Sequence, residues 1–374
     1  MCREPGRCSI VLLSVALVAF APARTTQDGN PKEQPGDLDQ DGILDRVEQE
    51  LAERYAPLLL LDGDEPNLPM DVSRFLASAE LWSYDESCSP TRALIPIPVS
   101  EHIAAASFRS CKGFRVNSYG TRSFEKKHTY YLSAVSAGLR RGSESTSGWT
   151  TYFHAYRNDL GGITIQYWTF YGYNTGFFWG IRSPATSHEG DWEAIHIVLG
   201  RPPFSIPVLI RLLGHRNMEA HPWTDVITAN GHPIIRVEKG GHTSALASQA
   251  EVADLSRFIQ HQSWSGGSVR WASKRWTRTE ARVTPGGALR NLGEKTAPMK
   301  GMEFLLYTGL WGLRESGLFD YYRSGYWGPA LNETSIRRDG FVAAWCEGTA
   351  EPAREVRRDG IGVVRECYPS ESVP

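Results

Sequence analysis

Three side chains that can bind a metal ion, His188, Asp191 and Glu193, stand close together at spacing H-x-x-D-x-E. The apolar run that follows predicts a strand over 191–199, and alternate residues of a strand face opposite sides. Asp191 and Glu193 then share one face, Trp192 points to the other, and His188 reaches back from the preceding loop. One imidazole and two carboxylates suit Ca²⁺, Mg²⁺ or Mn²⁺, with Zn²⁺ also open. The alternative is two solvated strand residues beside a turn histidine, but a buried strand would need its carboxylates neutralised.

Five further residues are candidates for catalysis or ligand binding. His242 follows paired glycines, which allow close approach of the backbone, and is a candidate fourth ligand or general base. Glu189 is a second candidate general base. His154 lies between tyrosines of a predicted strand and either lines a cleft or belongs to the core. Tyr173 and Trp192 are candidate aromatic contacts for a bound sugar, with core packing as the alternative.

An acidic segment near the start of the chain has the spacing of a calcium loop, D-x-D-x-D-G-x-x-D-x-x-E. Oxygen ligands at these positions, with glycine at the sharp turn, are what an EF-hand loop requires. The predicted ligands are Asp37, Asp39, Asp41, Ile43 through its carbonyl, Asp45 and Glu48. No helix pattern precedes the segment, so we predict a single structural Ca²⁺ site. The alternative is an acidic linker whose Asp-Gly turn caps the next helix.

The start of the chain has the pattern of a secretory signal. Arg3 and Arg7 precede an apolar run over 9–21, and Ala21-Pro22-Ala23 is a cleavage candidate. The apolar run is shorter than the ~20 residues of a membrane span. We predict a signal peptide at 1–23, a flexible linker at 24–36, a calcium loop plus helix at 37–55 and a β-sandwich domain at 56–374. The mature chain would be secreted, extracellular or periplasmic, without a transmembrane segment.

Cysteine usage agrees with export. Removal of the signal would leave an even set, Cys88, Cys111, Cys346 and Cys367, and even sets in exported chains are typical of disulfides. All pairings are open from the sequence, with Cys88–Cys111 and Cys346–Cys367 favoured because each closes a short loop. Four free buried thiols are the alternative.

Composition and the absence of some motifs exclude several functions. A net charge of −2 argues against a globally basic nucleic-acid binder. The sequence contains no G-x-S-x-G, no phosphate-binding glycine loop and no H-E-x-x-H, so nucleophilic serine or cysteine catalysis has no support. We expect a monomer.

The pattern of apolar residues predicts a mainly β protein. Besides 191–199, strands are expected at 57–61, 129–135, 150–156, 163–173, 208–213 and 234–237. Helices are expected at 44–55, 72–81 and 246–260. This pattern favours a twisted antiparallel β-sandwich with peripheral helices.

Several short motifs resemble the vacuolar-protein-sorting-associated family sixty-two. They are Tyr55-Ala56-Pro57 with Asp64-Glu65, the run from Gln166 to Tyr171, His188 to Glu193, Gly241 to Ser244, and Gly312 to Gly328-Pro329. The resemblance covers most of 50–335. Members of that family are largely of unknown function.

The run from His188 to Glu193 is also similar to the heptapeptide of necrosis- and ethylene-inducing-peptide-like proteins. This resemblance implies a secreted β-sandwich cytolysin that holds a divalent cation with His188, Asp191 and Glu193. It also implies a sphingolipid sugar headgroup as the partner. The chain departs from that motif at Glu189-Gly190, where Arg-His is usual, and it carries the calcium-type loop in addition.

Three functional hypotheses follow from the sequence. The first is a secreted, cation-dependent protein that binds a glycan or a membrane glycolipid headgroup, with toxin-like action. The second is a metal-dependent hydrolase of a polysaccharide or phosphoester, with Glu189 or His242 as general base. The third is an envelope protein whose motif is only a structural staple.

Overall fold

The computed structural model describes the following residues: 36–84, 136–158, 160–178, 181–182, 187–202, 205–213, 218–253, 270–274, 282–294, 296–307, 311–312 and 329, and the strands 90–92, 115–118, 121–125, 130–133, 354–357 and 363–366. The predicted signal peptide and every cysteine lie outside these residues. The disulfide and signal-peptide predictions therefore stay predictions. No helix within the described residues is long and apolar enough to span a membrane.

The described helices are short. They are α1 (Asp45–Tyr55), α2 (Val72–Leu76), α3 (Ala137–Arg141) and α4 (Gln249–Ala253), with 3₁₀ turns at Thr146–Gly148, Trp223–Asp225 and Glu303–Leu306. The strands are β1 (Leu58–Asp62), β2 (Glu80–Tyr84), β3 (Pro90–Arg92), β4 (Arg115–Ser118), β5 (Thr121–Glu125), β6 (Tyr130–Ser133), β7 (Thr151–Arg157), β8 (Ile163–Asn174), β9 (Phe177–Phe178), β10 (Ile181–Arg182), β11 (His188–Leu199), β12 (Pro207–Leu213), β13 (Met218–Pro222), β14 (Thr228–Ala229), β15 (His232–Val237), β16 (Ser244–Leu246), β17 (Arg270–Lys274), β18 (Arg282–Pro285), β19 (Leu289–Asn291), β20 (Arg354–Arg357) and β21 (Val363–Glu366).

Two larger sheets form the body of the described fold. One has the order β13-β12-β11-β8-β7-β19, and the other has the order β14-β15-β1-β17-β18 with β16 on β15. Strand pairs in the first sheet are antiparallel except β7 with β19. In the second sheet β1 runs parallel to both β15 and β17. Smaller sheets join β3-β2-β6, β4-β5, β9-β10 and β20-β21.

The four-leucine run of β1 explains its central place. Leu59 and Leu61 point into the core between the sheets, and Leu58 and Leu60 belong to a second apolar cluster on the other face. A strand that is apolar on both faces is typical of parallel pairing inside a covered sheet. The sheets are therefore mixed, where the sequence predicted antiparallel pairing throughout.

The main core lies between the two sheets and under α1. It contains Val47 and Leu51 of α1, Leu59 of β1, Ile197 of β11 and Ile235 of β15. On the outer face of the first sheet, Trp168, Trp192, Phe304 and Trp311 belong to a separate aromatic cluster. This arrangement confirms the predicted mainly β sandwich with peripheral helices.

Several predicted boundaries differ from the structure. The helix expected at 72–81 ends at Leu76, and strand β2 begins at Glu80. The helix expected at 246–260 starts later, because Leu246 pairs with Ile235 in a strand, and only Gln249–Ala253 of it is helical among the described residues. Strand β11 begins at His188 rather than Asp191. His188 is thus a strand residue opposite Asn174, where the sequence predicted a loop residue.

Candidate functional site

A cluster of buried charged side chains occupies the first half of β11, where that strand pairs with the end of β8. Glu193 lines a cavity with Ile195 and the inner residues of β1 and β15, whereas Trp192 lies in the outer aromatic cluster. Side chains alternate along a strand, so Asp191 shares the inner face. The prediction that Asp191 and Glu193 share a face opposite Trp192 is confirmed.

His242 connects two buried carboxylates of this cluster. Its Nδ1 donates to Oδ2 of Asp191 at 2.7 Å, and its Nε2 donates to Oε1 of Glu65 at 3.2 Å. The backbone N–H of Gly240 donates to the other oxygen of Glu65 at 2.6 Å. Because both ring nitrogens face carboxylate oxygens, both carry protons and the imidazole is a cation.

The charges of this group stabilise one another. Burial lowers the pKa of His242, but the charge of Glu65 and the hydrogen bond to Asp191 outweigh burial and raise the pKa to about 9. Burial raises the pKa of Asp191, yet the hydrogen bond from His242 and the charge of His188 outweigh burial and lower it. The ring of Tyr171 stacks on the imidazole with centroids 3.7 Å and planes 4° apart. This stacking favours the charged imidazole.

The three predicted cation ligands of β11 are only partly brought together. Nε2 of His188 lies 3.7 Å from Oδ1 of Asp191, while its Nδ1 lies 3.2 Å from the carbonyl oxygen of Glu189. The other oxygen of Asp191 accepts from His242 and, at 3.4 Å, from Asn174. These three side chains do not form a group of ligand atoms within 4.8 Å of one another among the described residues.

Glu193 is in a different state from Asp191, two residues away. Burial and the charges of Asp191 and Glu238 raise its pKa well above the ordinary value and favour the protonated carboxyl. Its Oε2 has no hydrogen-bond partner. It lines a small cavity of about 10 Å³ that His242 and Tyr167 also border. That is room for about one water.

The cluster reaches solvent through Arg140 of α3. Its Nη2 donates to Oε1 of Glu189 at 2.7 Å, with the Arg140 side chain 41% exposed and that of Glu189 5% exposed. The guanidinium also lies 5.2 Å from the ring centroid of Tyr173, the residue opposite Glu189 in β8. Arg182 donates to the Tyr173 hydroxyl at 3.3 Å. We call Arg140, Tyr173 and Glu189 the rim.

Two glycines lie side by side under the rim. The register of β11 and β8 places Gly190 opposite Gly172. A Cβ on Gly190, which has φ of 62°, would lie 1.9 Å from the carbonyl oxygen of Trp311. A Cβ on Gly172 would lie 2.1 Å from the carbonyl oxygen of Leu139 in α3. Only glycine lets these backbones approach so closely.

Two other predicted ligand-binding residues lie away from the charged cluster. His154 is fully buried, bonds Gln166 at 3.1 Å and Glu294 at 2.9 Å, and stacks on Tyr156. Trp192 packs among outer-face aromatic rings. Both are core side chains on the face of the first sheet opposite Asp191, so the structure does not bring them to the same site.

The acidic segment before α1 folds into a tight loop. Oδ2 of Asp37 accepts from the N–H of Gly42, and Oδ1 of Asp41 accepts from the N–H of Ile43. Gly42 has φ of 85° at the predicted sharp turn. The Ile43 side chain is buried in the main core and anchors the loop there. Asp45 and Glu48 lie in the first turn of α1.

The loop contains more buried negative charge than its own hydrogen bonds satisfy. Carboxylate oxygens of Asp37, Asp39, Asp41 and Glu48 have no hydrogen-bond partner. Burial, then the charges of neighbouring acids, raise the pKa of Asp39 to about 7 and that of Glu48 to about 9. Burial raises the pKa of Asp41 to about 6. Ligand atoms of Asp37, Asp39 and Asp45 lie within 4.8 Å of one another, so this cluster could hold a metal ion.

Sequence reasoning missed three residues of the charged cluster. Glu65 lies in the turn after β1, Asn174 ends β8, and Arg140 belongs to a one-turn helix. None of them has a spacing signal toward Asp191, because each reaches the cluster through the tertiary fold. The paired glycines before His242 were the one usable signal for that loop.

Comparisons with known proteins give little. No protein-family model matches the chain, and no curated protein matches it. The resemblance to the vacuolar-protein-sorting-associated family sixty-two is thus without support.

Among solved structures, similar folds belong to necrosis- and ethylene-inducing proteins. NLPPya in complex with glucosamine is 11% identical, with a TM-score of 0.32 over 72% of this chain and 80% of that chain. Necrosis and Ethylene inducing Protein 2, from the causal agent of cocoa's Witches Broom disease, is 11% identical with a TM-score of 0.29, over 67% and 76%. The non-toxic HaNLP3 protein is 12% identical with a TM-score of 0.28, over 57% and 80%. Sequence identities and TM-scores this low do not indicate a shared function.

Proposed function

We propose that the protein is a secreted, cation-dependent protein that binds a glycan or a glycolipid headgroup, with cytolysin-like action on membranes that carry it. The observation that supports this proposal is the rim. A half-exposed guanidinium is held over an aromatic ring by a buried carboxylate. Such a planar fork of donors matches sugar hydroxyls and the phosphate or carboxylate groups of lipid headgroups.

The proposed cation dependence has two parts. The loop at 37–48 would bind Ca²⁺ through Asp37, Asp39, Asp41, the Ile43 carbonyl, Asp45 and Glu48, and its unpartnered oxygens support this part. Hard oxygen ligands in this spacing suit Ca²⁺. The second part is Ca²⁺ or Mg²⁺ at His188, Asp191 and Glu193. There the close approach of His188 to Asp191 is the support, and Glu193 would have to turn toward them.

A metal-dependent hydrolase is the second candidate. It is favoured by the buried Glu193 carboxyl, whose pKa is raised, beside a one-water cavity that His242 also lines. In this case His242 or Glu189 would act as general base. Binding is the better proposal, because this cavity has no room for a sugar and both candidate bases are engaged with charged partners.

The test replaces the exposed part of the rim. We expect Arg140→Met to weaken binding to vesicles that contain a glycosylated sphingolipid at least about tenfold, the loss of one charge-assisted contact. Because Glu189 is buried, Arg140→Met also leaves its carboxylate without a counter-charge and costs some unfolding free energy, so binding is compared only where both variants are fully folded. The matched control is Arg201→Met, an exposed arginine beyond the other end of β11.

Binding and dye release would be measured with Ca²⁺, with Mg²⁺ and with EDTA, well below the melting temperature. Unchanged vesicle binding in Arg140→Met would contradict the proposed site. Release of free sugar or headgroup from the vesicles, lost with EDTA, would favour the hydrolase instead.

A further inference from the structure

We propose that the cation site of the loop is composite, and that Asn291 of β19 is a positioning residue for it. In this proposal the bound cation holds the segment 37–48 against strand β19. The inference rests on the proposed binding of Ca²⁺ at the loop and goes beyond it, because Asn291 lies outside the calcium-loop spacing.

The contact is made to the last ligand of the loop. Nδ2 of Asn291 donates to Oε2 of Glu48 at 2.8 Å. Glu48 is fully buried, and its other oxygen, Oε1, has no hydrogen-bond partner. Asp39, 2% exposed, likewise has both carboxylate oxygens without a partner. A neutral donor on one oxygen of Glu48 thus leaves the other for a cation.

The orientation of the Asn291 amide is set by a second hydrogen bond. Its Oδ1 accepts from the backbone N–H of Gly293 at 2.9 Å, so the amide nitrogen must face Glu48. The backbone of Asn291 is fixed by its pairing with Phe153 in β7. Glu48 is therefore held in one rotamer by an element whose position does not depend on the loop. Fixing a ligand in this way raises metal affinity, since the ligand loses less freedom on binding.

A second tether joins the loop to the same edge of the sheet. Nη2 of Arg157, at the end of β7, donates to the carbonyl oxygen of Gly42 at 2.8 Å. The loop therefore contacts β7 through Gly42 and β19 through Glu48. A cation bound by Asp37, Asp39 and Glu48 would hold the loop in these contacts with β7 and β19. Glu48 and Asn291 are 243 residues apart, so the site joins distant parts of the chain.

The test measures Ca²⁺ binding to the whole chain by calorimetry. We expect Asn291→Ala to weaken Ca²⁺ affinity about tenfold or more, the usual size of a lost supporting contact at a metal site. Asn291→Gln, which keeps the amide donor, should recover part of the affinity. The control Arg290→Ala, on the neighbouring residue of β19, should stay within about twofold of the unmodified chain, because Arg290 does not contact a loop ligand.

Hydrogen exchange gives a second measurement, which a purely structural role of Asn291 would leave unchanged. Ca²⁺ should slow exchange of the backbone amides in 289–293 of the unmodified chain, and it should slow them much less in Asn291→Ala.

The outcomes separate the composite site from the proposed loop site. Unmodified protein that binds no Ca²⁺, or binds it equally well after Asp39→Asn, would overturn both. Normal Ca²⁺ affinity in Asn291→Ala, with affinity lost in Asp39→Asn, would overturn only the role of Asn291. If Asn291→Ala does not fold, the Ca²⁺ affinity of Asn291→Gln is the test. Complete loss of Ca²⁺ affinity in Asn291→Gln would contradict the proposal.

Discussion

The loop at 37–48 and the cluster around Asp191 both bury several carboxylates, yet among the described residues only the carboxylates of the cluster pair directly with positive side chains. In the cluster, His242 lies between Asp191 and Glu65, and Arg140 pairs with Glu189. In the loop, buried oxygens of Asp39 and Glu48 have no hydrogen-bond partner. A buried charge is costly unless it is paired. The number of buried acids therefore does not by itself indicate a cation site. Whether positive side chains pair with those acids is the better indication.

The largest expected effect breaks the internal balance of the cluster. His242→Ala leaves two buried carboxylates without their counter-charge, which typically costs about 3–5 kcal/mol of unfolding free energy. Denaturant unfolding measures this loss, with His221→Ala, a partly exposed histidine of β13, as control. Adding Asp191→Asn and Glu65→Gln to His242→Ala should recover part of the stability.

Two outcomes bear on the comparison. A His242→Ala protein within about 1 kcal/mol of the unmodified chain would contradict the internal balance, since breaking a buried pair costs more. If Ca²⁺ or Mg²⁺ stabilises His242→Ala after the loop has been disabled by Asp39→Asn, then a metal ion can replace the imidazolium. That result would support the proposed second cation at His188, Asp191 and Glu193.

The next effect removes the cation from the loop. A ligand at about 100 times its dissociation constant stabilises the folded state by about 2.7 kcal/mol, which corresponds to roughly 5–10 °C in melting temperature. We expect EDTA to lower the melting temperature by this amount and Ca²⁺ to restore it. Asp39→Asn should lose the response, whereas the exposed control Asp225→Asn should keep it. A melting temperature that EDTA leaves unchanged would remove the distinction between the two regions.

The smallest effect, about 1.4 kcal/mol for one pH unit, is the change that Ca²⁺ makes to the pH dependence of stability in one region only. The folded pKa of His242 is raised from 6.5 to about 9, so its stabilisation is full below pH 6.5 and is lost as pH rises through 9. Glu48, raised from 4.5 to about 9, has the same sign in the metal-free chain. Its stabilisation is full below pH 4.5 and is likewise lost as pH rises through 9. Without Ca²⁺, stability should therefore fall between pH 7 and 9, by about 1.4 kcal/mol per pH unit for each retained proton.

Saturating Ca²⁺ keeps Glu48 ionised in the folded state, because a ligating carboxylate must be deprotonated. The part of the pH dependence of stability that comes from the loop should then disappear, while the part that comes from His242 remains. Urea unfolding at pH 7, 8 and 9, with and without Ca²⁺, measures both slopes. Equal slopes in the two conditions would contradict the assignment of Glu48 to the cation site.

The same comparison explains what the sequence could predict. The loop was recognisable because its ligands lie within twelve residues and their spacing alone defines the site. The faces of Asp191, Trp192 and Glu193 followed from strand alternation. Strands β7, β8 and β12 were expected close to their observed bounds for the same reason, since alternating or continuous apolar runs are local signals.

What the sequence could not predict depends on contacts between distant segments. Asp191 and Glu193 look alike in the sequence, yet the pKa of the first is lowered and that of the second is raised, because His242 hydrogen-bonds only to Asp191. Glu65 reaches that histidine across 177 residues, and no periodicity connects them. The apolar run predicts a strand that begins at Asp191, whereas β11 begins at His188, which pairs with Asn174 across the sheet.

The facing pair Gly172 and Gly190 has a consequence for access to the cluster. Each is pressed by a carbonyl group from the outer layer, Leu139 on one side and Trp311 on the other. A methyl group on Gly172 would push Leu139 and α3 outward and with them the Arg140 that covers Glu189, whereas one on Gly190 would push the Trp311 backbone outward. The depth at which the charged cluster lies below the surface is thus controlled by two residues without side chains. Water entry could be engineered there without replacing any charged residue.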